Sequence, residues 1–275
     1  QSPLPPGTVS VLAPEMDGRR PAVLAGDAAI ELVVDTSGSM RKRLGDLTRI
    51  DVAKDVLTGL VRDDIPAGTL VAMRMFPPSS DPCGSSLVSP LGPLDPPSML
   101  AAVEELTAPR KARTPLARAI AAVGDDLEGV TGSRIVVVVS DGKESCKGDP
   151  IAEAERLRAQ GFDVTLNVVG LALDRESRRT IARLADVGGG SYFDAADAET
   201  LGAALRAAVS APVHVLDAGG TVVARGTIGG EALVVPPGSY EIVVLTDPAF
   251  TFADVFVQPE ADVLLTLPDT SLRRS

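Results

Sequence analysis

Runs of consecutive apolar residues constrain this chain more than any other feature. Ile30–Val34, Leu70–Phe76, Ile135–Val139 and Val164–Val169 are apolar at nearly every position instead of at alternate ones. A strand of that kind has to be covered on both faces, which is the requirement of a buried parallel sheet. Helical patterns lie between the runs. Asp51–Val61 places Val52, Val56, Leu57, Leu60 and Val61 on one face, and Ser98–Leu106, Thr114–Leu127, Pro150–Gln160, Arg175–Ala185 and Ala198–Ala208 read as further helices. Ser98 is the expected cap of its helix. Pro115 and Pro150 stand near helix starts, where a missing N–H costs nothing, and Gly161 and Gly188–Gly190 close helices. Leu87-Val88 reads as a short edge strand and Ser191–Phe193 as a short last one. The alternation implies an α/β fold with a doubly wound, mostly parallel, Rossmann-like sheet.

After Ser210-Ala211-Pro212 the apolar period changes to two. Val213–Leu216, Thr221–Arg225, Glu231–Val235, Tyr240–Leu245, Val255–Val257 and Val263–Leu267 read as short strands. Asp217–Gly220 and Pro236-Pro237-Gly238 supply turns, and the whole reads as a small antiparallel all-β module. The Pro/Gly-rich start contains strand candidates at Thr8–Leu12 and Ala22–Leu24. The expected organisation is therefore an N-terminal strand segment (1–27) that can pair with the C-terminal module, an α/β domain (28–210), the β module (211–269) and a polar tail (270–275).

The composition removes several function classes. The net charge is −11 and aromatics make up 3% of 275 residues, so a basic nucleic-acid face and base-stacking platforms are not expected. No stretch approaches the about 20 apolar residues that span a bilayer. The chain starts at Gln1 instead of Met, which leaves a removed signal peptide or anchor open. The two cysteines, Cys83 and Cys146, sit in polar loops. Two unrelated reduced thiols are one reading, but exposed loop thiols suit a disulfide and an oxidising compartment better. No cysteine or histidine spacing supports zinc.

The polar chemistry collects at strand ends. Asp35-Thr36-Ser37-Gly38-Ser39 follows the first apolar run directly, and open α/β sheets hold ligands at the carboxyl ends of their strands. Hydroxyls at i and i+2 beside a carboxylate are hard oxygen donors, suited to Mg²⁺ or Ca²⁺. By itself the turn reads equally well as a polar helix cap. Thr114 opens a helix in Arg113-Thr114-Pro115, and Asp141 ends the most apolar strand in Ser140-Asp141-Gly142. If the first and fourth strands are neighbours, all three loops meet at one crevice.

In order and spacing, these three pieces resemble the metal-ion-dependent adhesion site of von Willebrand factor type A domains. The resemblance runs from about Ala28 to Val209. It implies that Ser37, Ser39 and Thr114 coordinate a divalent cation (Mg²⁺, or Ca²⁺ or Mn²⁺) through their hydroxyls, with Asp35 and Asp141 acting through waters. It further implies a non-enzymatic protein-binding domain whose partner supplies a carboxylate as the last ligand. The bacterial extracytoplasmic subgroup also carries a cysteine after the second strand and another after the Asp-Gly-x-Glu-x stretch. That likeness implies a Cys83–Cys146 bridge and a secreted, periplasmic or cell-surface location. A second cysteine pair of some relatives, near Ile151 and Ile181, is absent. Val235–Glu241 resembles the PPGxY hairpins of small surface β modules.

Basic residues flank these motifs. Arg41, Lys42, Arg43 and Arg49 follow the first, Arg110, Lys111 and Arg113 precede Thr114, and Lys143 follows Asp141. They read either as solvated loop charges or as a rim, formed by Arg41, Lys42, Arg43, Arg113 and Lys143, that attracts an acidic partner. His214 has no nucleophile elbow to serve, and Gly188–Gly190 lacks phosphate-loop spacing. Two other functions remain open. One is Mg²⁺-dependent phosphoryl transfer from an Asp nucleophile with Lys143 beside the phosphate; the other is a structural domain without a working metal. A monomer is expected.

Overall fold

The apolar runs form the centre of a six-stranded sheet in a computed structural model that describes residues 4–15, 28–160, 164–246 and 248–268. The chain divides into two units, Asp27–Ala208 and a second formed by Gln1–Gly26 with Val209–Ser275. In chain order the first unit contains β2 (Ala29–Asp35), a two-stranded ribbon of β3 (Arg43–Leu44) and β4 (Leu47–Thr48), α1 (Arg49–Gly59), β5 (Leu70–Phe76), β6 (Ser86–Pro93) and α2 (Pro96–Glu104). It continues with α3 (Leu116–Asp126), β7 (Arg134–Ser140), α4 (Pro150–Ala159), β8 (Val164–Leu171), α5 (Arg175–Val187), β9 (Gly189–Ala195) and α6 (Ala198–Val209).

The sheet order is β6-β5-β2-β7-β8-β9, parallel except for β6 at one edge. All seven residues of β2 are buried. On one face Ala29 and Val33 join Val136, Val138, Leu166 and Val168 in a core with Leu116, Ile120 and Val123 of α3, Leu157 of α4, and Ile181 and Leu184 of α5. On the other face Ile30, Leu32 and Val34 are fully buried too. Burial of this kind is worth roughly 1.5–3 kcal/mol per large aliphatic side chain, which is why consecutive apolar residues demand two covered faces.

Helix starts follow local chemistry. Thr48 and Asp51 form a reciprocal capping box on α1. The cap of α2 is Asp95, not Ser98. Its carboxylate accepts from the Ser98 N–H and hydroxyl, which places Pro96 and Pro97 in the first turn where neither needs to donate. Pro115 is the N-cap of α3 itself, one position before the helix. The expected Leu87-Val88 strand is longer, because Pro90 and Pro93 are tolerated on an irregular edge strand. The last strand extends back through Gly189 and Gly190. The Ala22–Leu24 strand, the Gly161 helix stop and the 270–275 tail fall outside the described residues.

The second unit contains β1 (Gly7–Leu12), β10 (Pro212–Leu216), β11 (Val222–Thr227), β12 (Leu233–Val235), β13 (Gly238–Val244), β14 (Phe250–Val257) and β15 (Asp262–Thr266). β11-β10-β13-β14 is an antiparallel sheet; β12-β1-β15 is a mixed one in which β1 runs antiparallel to β12 and parallel to β15. The sheets meet closely at Gly7, where a Cβ would stand 2.5 Å from Val257 Cγ1. Asp217 shapes the β10–β11 hairpin by accepting from the N–H groups of Gly219 and Thr221, each at 2.9 Å. Pro236-Pro237-Gly238 is not a hairpin turn. It carries the chain from β12 in one sheet to β13 in the other, and Tyr240 donates its hydroxyl to the Pro236 carbonyl at 2.6 Å. Among the described residues no helix is long and apolar enough to cross a membrane.

A buried ionic cluster crosses the α3 face. Arg74 grips Asp126 with Nε at 2.6 Å and Nη2 at 2.8 Å, and gives Nη1 to Ser85. Glu31, on the neighbouring central strand, is fully buried and neither of its oxygens has a hydrogen bond; Arg74 Nε is 3.6 Å away. Burial, and then Asp126, push the Glu31 carboxyl well above the usual carboxylate range, with Arg74 opposing. The native state keeps a proton that the unfolded chain releases near its ordinary value of 4.5, so stability is greatest below that value and falls as pH rises toward the native pKa. Glu31→Gln imitates the protonated group. It is expected to stabilise the fold by roughly 1–3 kcal/mol at pH 8 and by almost nothing near pH 4. Denaturant melts at the two pH values measure this, and an equal shift at both would contradict the assignment.

Candidate metal centre

Parallel pairing of β2 with β7 through Val34 and Val139 brings the two strands to an end side by side, so Asp35 and Asp141 leave the sheet as neighbours. After Asp35 the chain turns into a short 3₁₀ helix, Gly38–Arg41. The Thr36 hydroxyl donates to the Pro77 carbonyl at 2.7 Å, so it fastens the turn to the end of β5 and faces away from the crevice. Gly38 permits a close approach. Its N–H donates to the Ala112 carbonyl at 3.0 Å, and a Cβ there would stand 3.1 Å from Arg110 O and 3.2 Å from Ala112 O. The Ser37–Ser39 turn is thus pressed against the loop that leads to Thr114.

The polar groups form one connected set. Asp35 accepts from the Ser37 N–H at 2.7 Å and from the Ser140 hydroxyl at 2.5 Å. Ser39 donates to Asp141 Oδ1 at 2.6 Å, and the Ser37 and Ser39 hydroxyls are 2.9 Å apart. Thr114 is buried, and its backbone exchanges two hydrogen bonds with Ser145: the Thr114 N–H donates to Ser145 Oγ at 2.8 Å and the Ser145 N–H donates to Thr114 O at 2.9 Å. Gly142 leaves the space between the two sides open, since a Cβ there would lie 3.9 Å from both Ser39 Oγ and Thr114 Oγ1. Burial, and then the charge of Asp141, raise the Asp35 carboxyl to about 7. Two carboxylates that disfavour each other's charge are the surroundings that a cation stabilises.

These residues suit a hard divalent cation. Among the described residues no three His, Cys, Asp or Glu side chains cluster as metal ligands, so the donors at hand are hydroxyls backed by carboxylates. Ser39 gives its proton to Asp141, so Ser37 is the donor across their 2.9 Å contact and Ser39 Oγ keeps one lone pair to face an ion.

Arg49 is not a loop charge. As the first residue of α1 its side chain is 13% exposed, Nη1 donates to Asp141 Oδ2 at 2.5 Å, Nη2 lies 3.4 Å from the Ala172 carbonyl, and Nε is buried without a hydrogen bond. Of the expected rim, Lys42, Arg43 and Arg113 are exposed. Arg41 is exposed too, but its Nη1 donates to the Ala108 carbonyl, and Lys143 pairs with Glu176 at 2.8 Å. Lys42 and Arg43 follow the 3₁₀ turn that Gly38 presses onto the 109–112 loop, next to which Arg113 stands.

A disulfide joins Cys83 to Cys146 with Cα atoms 5.7 Å apart, and the Arg113 N–H donates to Pro82 O beside it. Glu144 braces the same region. One carboxylate oxygen accepts from the Cys146 N–H at 2.5 Å and the other from the Ala117 N–H at 2.8 Å, so Glu144 caps α3 from outside that helix. Motif reading missed the roles of Ser140, Glu144 and Ser145, although all three stand in the stretch from the end of β7 to Cys146. The missing signal was where each side chain goes, which depends on the Thr114 loop lying alongside. Glu144→Ala is expected to destabilise the fold by about 1–2 kcal/mol. A urea melt tests this, and an unchanged midpoint would show that the brace carries no stability.

Residues 30–144 match the family model for the von Willebrand factor type A domain. The Bacillus subtilis (strain 168) protein YwmD is 28% identical over 203 residues, 70% of this chain and 88% of that protein. Among solved structures, a von Willebrand factor type A protein from Catenulispora acidiphila aligns over 99% of this chain and 76% of its own, at 16% identity and a TM-score of 0.54. Proximal thread matrix protein 1 from the mussel byssus, solved with a zinc-occupied MIDAS motif, aligns over 68% of this chain and 48% of its own, at 17% identity and a TM-score of 0.54. Sheet order, strand-end chemistry and the match over residues 30–144 agree in making this α/β unit similar to von Willebrand factor type A domains.

Proposed function

We propose that the domain binds a partner protein through a divalent cation held by the Ser37, Ser39 and Thr114 hydroxyls, with Asp35 and Asp141 holding those groups in place. The observation that carries this reading is the direction of the hydrogen bonds. Asp141 takes the Ser39 proton, and Asp35 is turned to the Ser37 N–H and the Ser140 hydroxyl, so neutral oxygens are offered to the ion and the carboxylates stand behind them. An ion bound in this way supplies an incompletely neutralised positive charge that favours an incoming carboxylate. Mg²⁺, Ca²⁺ and Mn²⁺ all suit oxygen donors of this kind. The occupied MIDAS of the mussel protein supports metal competence in this fold.

The exposed Lys42, Arg43 and Arg113 support an acidic partner, because they add positive charge beside the crevice in a chain of net charge −11. Phosphoryl transfer is less well supported. It needs a free carboxylate nucleophile, whereas Asp35 already accepts two hydrogen bonds and Asp141 accepts from both Ser39 and Arg49. Lys143, the candidate phosphate partner, is paired with Glu176. The Cys83–Cys146 disulfide supports an extracytoplasmic location.

Immobilised protein exposed to a native envelope extract is expected to retain a partner in the presence of Mg²⁺ and to release it on chelation. Ser37→Ala is expected to weaken Mg²⁺ binding by about tenfold or more in titration calorimetry, with an unchanged melt in EDTA. Retention that survives both chelation and Ser37→Ala would overturn the reading.

A further inference from the structure

Resting on the metal reading, we infer that Arg49 is a resident cation of the metal centre that makes the ion and the partner's carboxylate bind as a coupled pair. Two arginines in this unit show how differently a buried guanidinium can be used. Arg74 places Nε and Nη2 on the two oxygens of Asp126 and Nη1 on Ser85, so its donors are well matched and its charge is cancelled at close range. Arg49 gives Asp141 a single nitrogen, reaches Ala172 O at 3.4 Å with a second, and leaves Nε buried without a hydrogen bond. A residue present only to fasten α1 to the sheet would be expected to use its fork as Arg74 does.

Asp141 is the point at which this charge enters the site. Its side chain is fully buried, with Oδ1 accepting from Ser39, a metal-donor hydroxyl, and Oδ2 from Arg49. With both carboxyls ionised, as a bound cation favours, Asp35, Asp141 and the Arg49 guanidinium together carry a single net negative charge. A divalent cation added to that set leaves one positive charge in a buried place, and only an anion from outside cancels it. Without Arg49 the two carboxylates behind the hydroxyls would bring the whole centre to zero net charge, and the outside carboxylate would gain less.

Arg49 therefore weakens the ion when it is alone and strengthens the carboxylate once the ion is present. By linkage, the carboxylate must then tighten the ion by the same factor. The position is also mechanically suited to this. Arg49 is the first residue of α1, its capping residue Thr48 closes the β3–β4 ribbon, and Ala172 lies in the β8–α5 loop with φ +50. A change in what Asp141 holds thus reaches α1 and that loop directly.

The test uses the full chain with Mn²⁺ as the ion, free Mn²⁺ being followed by its electron paramagnetic resonance signal, and acetate as the carboxylate at constant ionic strength. Wild type is expected to bind Mn²⁺ at least fivefold more tightly in acetate than in chloride, a factor within the usual range of such couplings. Arg49→Gln is expected to bind Mn²⁺ about tenfold more tightly than wild type in chloride, with acetate then changing its affinity less than twofold. Arg49→Lys, which keeps the charge, should follow wild type. Melting temperatures in EDTA check that each variant is folded, and Arg49→Met replaces Arg49→Gln if the latter is not. Equal Mn²⁺ affinity and equal acetate coupling in wild type and the neutral variant would overturn this proposal and leave the metal reading intact. Failure of wild type to bind Mn²⁺ would overturn both.

Discussion

The pairing of β2 with β7 is the contact on which the candidate site depends. Two parallel strands, adjacent in the sheet though far apart in the chain, run in register from Ala29 and Arg134 to Val34 and Val139. Because the register is fixed by apolar residues buried on both faces, a slip would move whole rows of Val and Leu to new neighbours. Asp35 and Asp141 inherit their positions from that constraint. The Ser140–Asp35 bond, the Ser39–Asp141 bond and the open space over Gly142 all follow from two strands ending at one level.

Buried charge is handled in two ways within this one domain. At the α3 face, Arg74 and Asp126 satisfy each other, and Glu31 is left as an acid whose proton is favoured by burial. At the strand ends, two carboxylates share hydroxyls, a backbone N–H and a single nitrogen of Arg49. The first arrangement is internally matched apart from Glu31. The second leaves polar capacity directed at the crevice, as a binding site requires and a structural core does not.

Much of this was legible in the sequence, and the parts that were not share a physical cause. Apolar runs and their spacing gave the strands of the sheet to within a residue or two at β5, β7 and β8, because burial on both faces leaves few alternatives. Asp35 and Asp141 could be named because they end those runs, and Ser37, Ser39 and the helix-opening Thr114 because, with them, they resemble a known motif in order and spacing. Arg49 could not be placed, since a basic residue after a polar turn looks the same whether it points to water or to a carboxylate contributed by β7. The α2 cap went to Asp95 because a carboxylate can receive both the Ser98 N–H and its hydroxyl. Pro236-Pro237-Gly238 looks like a hairpin in a period-two stretch. Which sheet the following strand joins is decided by long-range pairing, here of β12 with β1 and β13 with β10.

The disulfide divides the candidate site topologically. A bond between Cys83 and Cys146 closes a covalent ring with a sequence separation of 63, and that ring contains Thr114, Asp141 and Glu144, whereas Ser37 and Ser39 lie outside it. The candidate site is thus assembled from a cyclic half and a linear half. The cyclic half has fewer unfolded arrangements to lose, whereas the Asp35–Ser39 turn lies outside the ring and joins it through the pairing of β2 with β7.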